Sequence, residues 1–149
     1  MEQTKEQSTL PDLSATFLKS ERLCRKKIID DLFSLKQSFL VFPYRIVWMS
    51  FEPIETSAIQ IAIGVGKKYD KRAVKRNLIK RRIREAYRKN KHPLYQYCEK
   101  NKKGFYIFIS FVGKEELSYT YLEERLKKVF DKLIHIHEEN NNMATDSSR

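Results

Sequence analysis

Apolar residues recur along this chain with two different periods, and the switches between them mark its elements. In ERLCRKKIIDDLFSLKQ, residues 21–37, Leu23, Ile28, Ile29, Leu32, Phe33 and Leu35 follow an amphipathic helical pattern, and Ser20 stands in front as its N-cap. Phe39 to Phe51, FLVFPYRIVWMSF, is dense in aromatic and β-branched residues and predicts strand. On a continuous strand Leu40, Phe42, Tyr44, Ile46 and Trp48 share one face, with Arg45, Val47 and Met49 on the other. Pro43 has no amide to donate and belongs at an edge, a bulge or a strand start. EPIETS reads as a turn. From Ala58 to Val65 the alternation is clean: Ile59, Ile61, Ile63 and Val65 against Ala58, Gln60, Ala62 and Gly64. The branched row belongs against helices; the small row leaves space for close packing or for a ligand.

Next comes a helix with two opposed stripes. At 100° per residue, Ile79, Ile83, Ala86 and Tyr87 form an apolar seam, while Asn77, Lys80, Arg81, Arg84, Arg88 and Lys91 fall within a sector of about 100° on the other side. Lys75, Arg82 and Lys89 form a third row flanking Leu78. His92–Pro93 ends this helix, a charged connector follows, and Gly104 opens a strand, FYIFISF. Ser118 or Thr120 caps the last helix, Thr120 with Glu123 fitting a capping box. Leu122, Leu126, Val129, Phe130 and Leu133 are its core stripe. Residues 1–16 read as a flexible lead, 17–137 as one domain, and 138–149 as a disordered tail. The elements imply an α+β fold with three helices on a single small sheet.

Charge sharpens this picture. Lys67 to Lys91 holds 13 Lys or Arg against Asp70 and Glu85, a net of +11; the whole chain is also +11, so the remaining 124 residues sum to zero. A block so localised is the footprint of a polyanion-binding protein. The plainer reading, a solvated lysine-rich face, calls for interspersed acids, and Glu85 is the only acid on this helix. Other chemistry is sparse. Cys24 and Cys98 have no metal spacing and form no disulfide framework, which fits reduced thiols in the cytosol. No apolar run approaches the ~18–20 residues that span a bilayer, and the N-terminus carries no signal-peptide h-region. His135 and His137 are two apart on a helix and point to opposite sides, so they do not form a metal pair. No nucleophile–base pattern, P-loop or dinucleotide fingerprint is present. No catalytic residue and no metal ligand stands out: the residues describe a binding protein. Arg and Lys dominate over base-reading side chains, and aromatic-rich strands lie beside them, which favours structured RNA with an unpaired portion over DNA.

RAVKRNLIKRRIREAYR resembles the signature of the protein subunit of bacterial ribonuclease P. The Arg-Asn-x-x-Lys-Arg-x-x-Arg motif of that family is matched at Arg76, Asn77, Lys80, Arg81 and Arg84. FLKSERLCRKKIIDDLF, IGVGKKYDKRAV and FVGKEELSYTYLEERLKKVF extend the resemblance over roughly residues 17–134. It implies the order α-β-β-β-α-β-α on a mixed sheet, with a left-handed βαβ crossover. It also implies a cytoplasmic ribonucleoprotein endonuclease that removes the 5′ leader of precursor tRNA. The RNA subunit is the catalyst; the protein alone does not cleave, holds no cofactor, needs no obligate protein partner, and aids substrate and metal binding, magnesium being held by the RNA and the substrate. The five motif residues would bind the RNA subunit, supported by Arg72, Lys75 and Arg88, and a cleft bearing Ile29, Phe33, Trp48, Lys67 and Lys68 would receive the leader. Two features depart from the family: Ile29 stands where many members have Phe, and the YDKR turn is about one residue longer and lacks the customary glycine. A ribosomal or other structural RNA-binding protein, or a DNA-binding basic-helix protein, are the competing readings of the charge block.

Overall fold

In a computed structural model describing residues 19–35, 37–53 and 58–147, four strands form one mixed sheet in the order β1-β2-β4-β3. Strand β1 is Ser38–Val41, β2 Tyr44–Phe51, β3 Ile59–Val65 and β4 Gly104–Phe111. The helices are α1 (Lys26–Leu35), α2 (Ala73–Asn90), α3 (His92–Asn101) and α4 (Tyr119–Ser147). β1 and β2 pair antiparallel, as do β2 and β4, whereas β3 lies parallel to β4 and reaches it through α2 and α3. The class is the expected α+β, with one helix more than the pattern predicted.

The stretch 39–51 is a hairpin rather than one strand. A turn at the cis Phe42–Pro43 bond reverses the chain, so Val41 pairs with Tyr44 and Phe39 with Ile46. Reversal exchanges the parity of the first arm. Phe39 and Val41, not Leu40 and Phe42, join Tyr44, Ile46 and Trp48 on the core side, and Leu40 and Phe42 are exposed.

Pro93 begins a helix as well as ending one. It lies in the first turn of α3, where the amide it lacks has no helical partner to lose. Leu94, Tyr95, Tyr97 and Cys98 then bury one side of that helix. The chain leaves α3 through Lys102 in the left-handed region at φ 56°. Gly104 opens β4 because a Cβ there would lie 2.6 Å from the Ala58 carbonyl oxygen. Ser118 caps α4, its Oγ accepting the Tyr121 amide at 3.2 Å. The core stripe of α4 is buried as its spacing requires. The helix runs on to Ser147, through most of the segment read as a disordered tail. That segment contains no Gly or Pro, and extending a formed helix avoids the cost of nucleation. The lead at residues 1–16 lies outside the described residues.

The sheet separates two apolar clusters. The larger packs the inner face against α2, α3 and α4. The smaller joins Leu23 and Leu32 to Val47 and Tyr106 on the outer face, where, among the described residues, α1 is the covering helix. Helix α1 starts at Lys26, not after Ser20, because residues 19–23 are committed elsewhere. Lys19–Glu21 form a 3-10 turn, Arg22 bridges Ile61 in parallel, and the Leu23 amide donates to the Ile61 carbonyl at 3.0 Å. This arm lies along the free edge of β3. Its anchor is Glu21, fully buried, whose carboxylate accepts from Lys91 Nζ at 2.8 Å and from the Tyr87 and Tyr95 hydroxyls at 2.6 Å each.

Candidate nucleic-acid interface

Helix α2 has three sides with three different fates. Ile79, Ile83, Ala86 and Tyr87 are buried, as the seam predicts. The row Lys75, Arg82 and Lys89 is neutralised. Glu116, on the loop before α4, pairs with Lys75 at 3.7 Å and with Arg82 at 3.2 Å, and Glu85 lies 3.8 Å from Lys89. Arg82 also donates to the Leu117 carbonyl at 2.7 Å. Arg88, expected on the cationic ridge, closes an ion pair with Glu85. Lys91, expected beside it, is 1% exposed and inside the Glu21 cluster. Among the described residues, half of the block's ion pairs use tertiary neighbours, Glu116 and Glu21, and half use the block's own two acids, Asp70 and Glu85.

What stays open is a shorter ridge: Asn77, Arg81 and Arg84 exposed, with Lys80 half-buried among them. Among the described residues, no carboxylate lies within ion-pair distance of Lys80, Arg81 or Arg84. Arg76, the first residue of the motif, is half-buried and donates to the Asp70 and Lys71 carbonyls at 2.9 and 2.7 Å, bracing the turn that leads into α2. Arg72 is exposed but clasped: its amide and guanidinium donate to the Asp70 carboxylate at 2.8, 3.1 and 3.0 Å. Those hydrogen bonds hold the Asp70 carboxyl down at about 2.

Beside the ridge, the outer face of the sheet is only partly covered. Phe33 is 47% exposed on α1 and meets Phe108 of β4 edge-on at 5.2 Å between ring centroids. Ile29, one helical turn earlier, is half-buried against the smaller cluster. Gly64 lets Phe108 lie over β3, since a Cβ there would stand 3.1 Å from the ring. Farther along, Phe51 stacks on Tyr106 at 4.1 Å, and Arg25 reaches the Tyr106 hydroxyl at 3.5 Å. Past the ends of β3 and β4, residues 64–69 and 110–114 line an open groove of about 960 Å³. Lys67, Lys68 and Lys114 are exposed on it, and Tyr69 packs edge-on to Phe111 at 5.3 Å on its floor.

Trp48 is not part of this face. The sheet register aligns Trp48 with Ile107 and Ile107 with Ile61, which puts the indole on the side of the branched row. It is 2% exposed, edge-on to Phe105 and His137 at 5.8 and 6.2 Å. Its neighbour Val47 is the residue aligned, through Phe108, with Ala62 of the small row. The sheet aromatics of the outer face are therefore Phe108, Tyr106 and Phe51. The sequence signal for Phe108 and Tyr106 was the period-two alternation of FYIFISF, unmarked because both of its rows are apolar. His137 turns inward and shares a hydrogen bond of 2.6 Å with the Tyr97 hydroxyl, while His135 turns outward to Glu139 at 3.2 Å. Among the described residues, no group of three or more His, Cys, Asp or Glu is arranged as metal ligands, and no helix is long and apolar enough to cross a membrane.

Known proteins share this arrangement. The family model for ribonuclease P matches residues 17–134. The ribonuclease P protein component of Porphyromonas gingivalis is 34% identical over 110 residues, covering 74% of this chain and 80% of that protein. That of Nitrosomonas europaea is 32% identical over 73 residues, covering 49% and 61%. Among solved structures, the Staphylococcus aureus RNase P protein superposes with a TM-score of 0.58 at 18% identity, over 77% of this chain and 96% of that one. The Thermotoga maritima protein gives 0.55 at 22%, over 75% and 96%. The two structures speak for the fold, and the family match over the motif-bearing helix speaks for descent: this chain belongs to the ribonuclease P protein family.

Proposed function

We propose that this protein subunit of the ribonuclease P endoribonuclease docks on its catalytic RNA through Asn77, Lys80, Arg81 and Arg84. It then guides the unpaired 5′ leader of precursor tRNA across the outer face of the sheet. The observation that carries this reading is the division of labour on α2. Its other basic side chains are neutralised or tied to protein groups, and the open cations stand together next to an apolar sheet face that the described residues cover only in part. Phosphates supply the counter-charge for such a ridge, and guanidinium groups bind them with fixed geometry. On the outer face, Phe33 and Phe108 offer rings to unpaired bases, and Lys67 and Lys68 offer charge to the leader backbone where the groove opens.

In this division the protein binds and orients, while the RNA and the substrate hold the magnesium ions in the cytoplasmic holoenzyme. Arg76 and Arg72 shape the turn that sets the direction of α2. Lys75 and Arg88 act inside the fold's own ion pairs. The test is reconstitution. The purified chain alone should leave precursor tRNA intact, and mixing it with the cognate catalytic RNA should restore 5′ cleavage at magnesium concentrations where that RNA alone is slow. If the chain binds the RNA without lowering its magnesium requirement, the reading reverts to a structural RNA-binding protein.

A further inference from the structure

Arg45 is the only charged residue in any of the four strands. A charge on a strand often guards a free edge against pairing with another chain. Strand β2, however, lies inside the sheet, between β1 and β4, and has no free edge to guard. The register fixes where Arg45 stands. Val47, two residues on, belongs to the apolar cluster of the outer face, and alternation puts Arg45 on that same face. Arg45 is aligned with Ser110 of β4, and Ser110 with Gly64 of β3. Both partners line the groove past the strand ends. Phe108 is aligned with Val47, so Arg45 is its diagonal neighbour, at a separation of about 7–8 Å that long side chains span. The Arg45 side chain is exposed, and among the described residues no carboxylate lies within ion-pair distance of it. Because β4 lies between β2 and β3, Arg45 flanks the row of Phe108 and Ser110 on one side. The exposed Lys67 and Lys68 follow β3 on the other.

We propose that Arg45 binds a backbone phosphate of the 5′ leader, holding the strand over the row of Phe108 and Ser110 from the β2 side. This inference rests on the leader path given above. A strand whose base lies on Phe108 carries a phosphate on either side of that base. A guanidinium one diagonal step away donates charge-assisted hydrogen bonds to such a group. The contact reads charge and carries no sequence information, so it favours precursor over mature tRNA whatever the leader sequence. The competing role, an apolar stem laid over neighbouring side chains, needs no charge, and that difference makes the two separable.

The experiment compares Arg45→Met, which keeps an unbranched apolar stem and removes the charge, with Arg45→Lys and Phe108→Ala. It reads catalytic-RNA affinity, the precursor-to-mature tRNA affinity ratio in the holoenzyme, and melting temperature. Arg45→Met should lower the ratio about tenfold, the scale of one charge-assisted contact, with catalytic-RNA affinity and melting unchanged. Arg45→Lys should retain most of the ratio. In Arg45→Met the salt slope of precursor binding should be shallower by about 0.7, and the loss should be equal for leaders of different sequence. Leaders carrying a single uncharged methylphosphonate locate the contact: at one position the change should weaken binding by the parent but not by Arg45→Met. A parental ratio in Arg45→Met overturns the proposal. So does a loss of catalytic-RNA affinity with the ratio intact, which would assign the phosphate to that RNA. If Phe108→Ala still lowers the ratio in either case, the leader path stands without Arg45; if Phe108→Ala is also silent, the leader path falls with it.

Discussion

Trp48 shows how much can hang on one residue's side of a sheet. With the indole buried beside Phe105 and His137, Trp48→Ala should cost about 3–5 kcal/mol of stability. It should leave the precursor-to-mature affinity ratio of the surviving folded holoenzyme unchanged. Phe108→Ala should do the reverse, lowering that ratio by the ~1–3 kcal/mol of a stacked base, with a smaller effect on melting because Phe108 is only half-buried. Measuring melting temperature and affinity ratio on both variants decides the matter, and a leader defect in Trp48→Ala alone would reverse the assignment. His137 belongs to the same buried group. Burial, helped by the charge of Lys103, holds its pKa below the ordinary 6.5, so the unfolded chain takes up the proton first. The stability gained by keeping the ring neutral is full above pH 6.5 and is lost as pH falls through the lower folded value. Melting temperature should therefore decline below pH 6.5 more steeply in the parent than in His137→Gln. Equal slopes would show that this imidazole stays solvated.

Among the elements, α2 carries the clearest test, because its basic rows differ only in what surrounds them. Arg81→Ala with Arg84→Ala should weaken holoenzyme assembly by tenfold or more while shifting stability by ~0.5 kcal/mol or less, as exposed substitutions do. Arg82→Ala should do the opposite. It breaks the contacts to Glu116 and the Leu117 carbonyl that tie α2 to the loop before α4, lowering the melting temperature with little loss of RNA affinity. Assembly titrations and thermal melts of the two proteins make the comparison, and matching RNA defects would mean that the ion pairs open on binding. The N-terminal arm makes the converse point, since one buried carboxylate, Glu21, fixes a segment with little apolar surface of its own. Removing one partner of a buried charge pair costs about 3–5 kcal/mol, so the register of the arm on β3 is strongly specified.

For the molecule as a whole, the decisive quantity is how many cations remain for RNA. The chain carries 30 Lys and Arg, yet the proposed interface uses Lys80, Arg81 and Arg84 on the ridge and Lys67 and Lys68 at the groove. Five phosphate contacts predict a log–log salt slope of about −3.5 to −4.5, from the single-strand to the duplex coefficient. Titrating formation of the complex of protein, catalytic RNA and precursor tRNA across monovalent salt measures it. A slope near −8 would mean that the paired basic residues also release counterions, and a flat response would remove the electrostatic basis of docking.

Local periodicity was enough to read the seam of α2, the stripe of α4, the alternation of β3 and the basic block with its family motif, because helix and strand spacing are properties of neighbouring residues. It was enough, with the motif, to identify the family and its α+β class. It was not enough to tell which cations stay open or which face an aromatic takes. Those depend on partners distant in sequence: Glu116 opposite Lys75 and Arg82, Glu21 opposite Lys91 across 70 positions, and Ile61 aligned with Trp48 through Ile107. In the hairpin, a single reversal at Pro43 exchanged the faces of Leu40 and Val41. Charge and face were legible in the chain; whether each charge met a carboxylate or solvent was decided only when the sheet register and the helix packing brought the segments together.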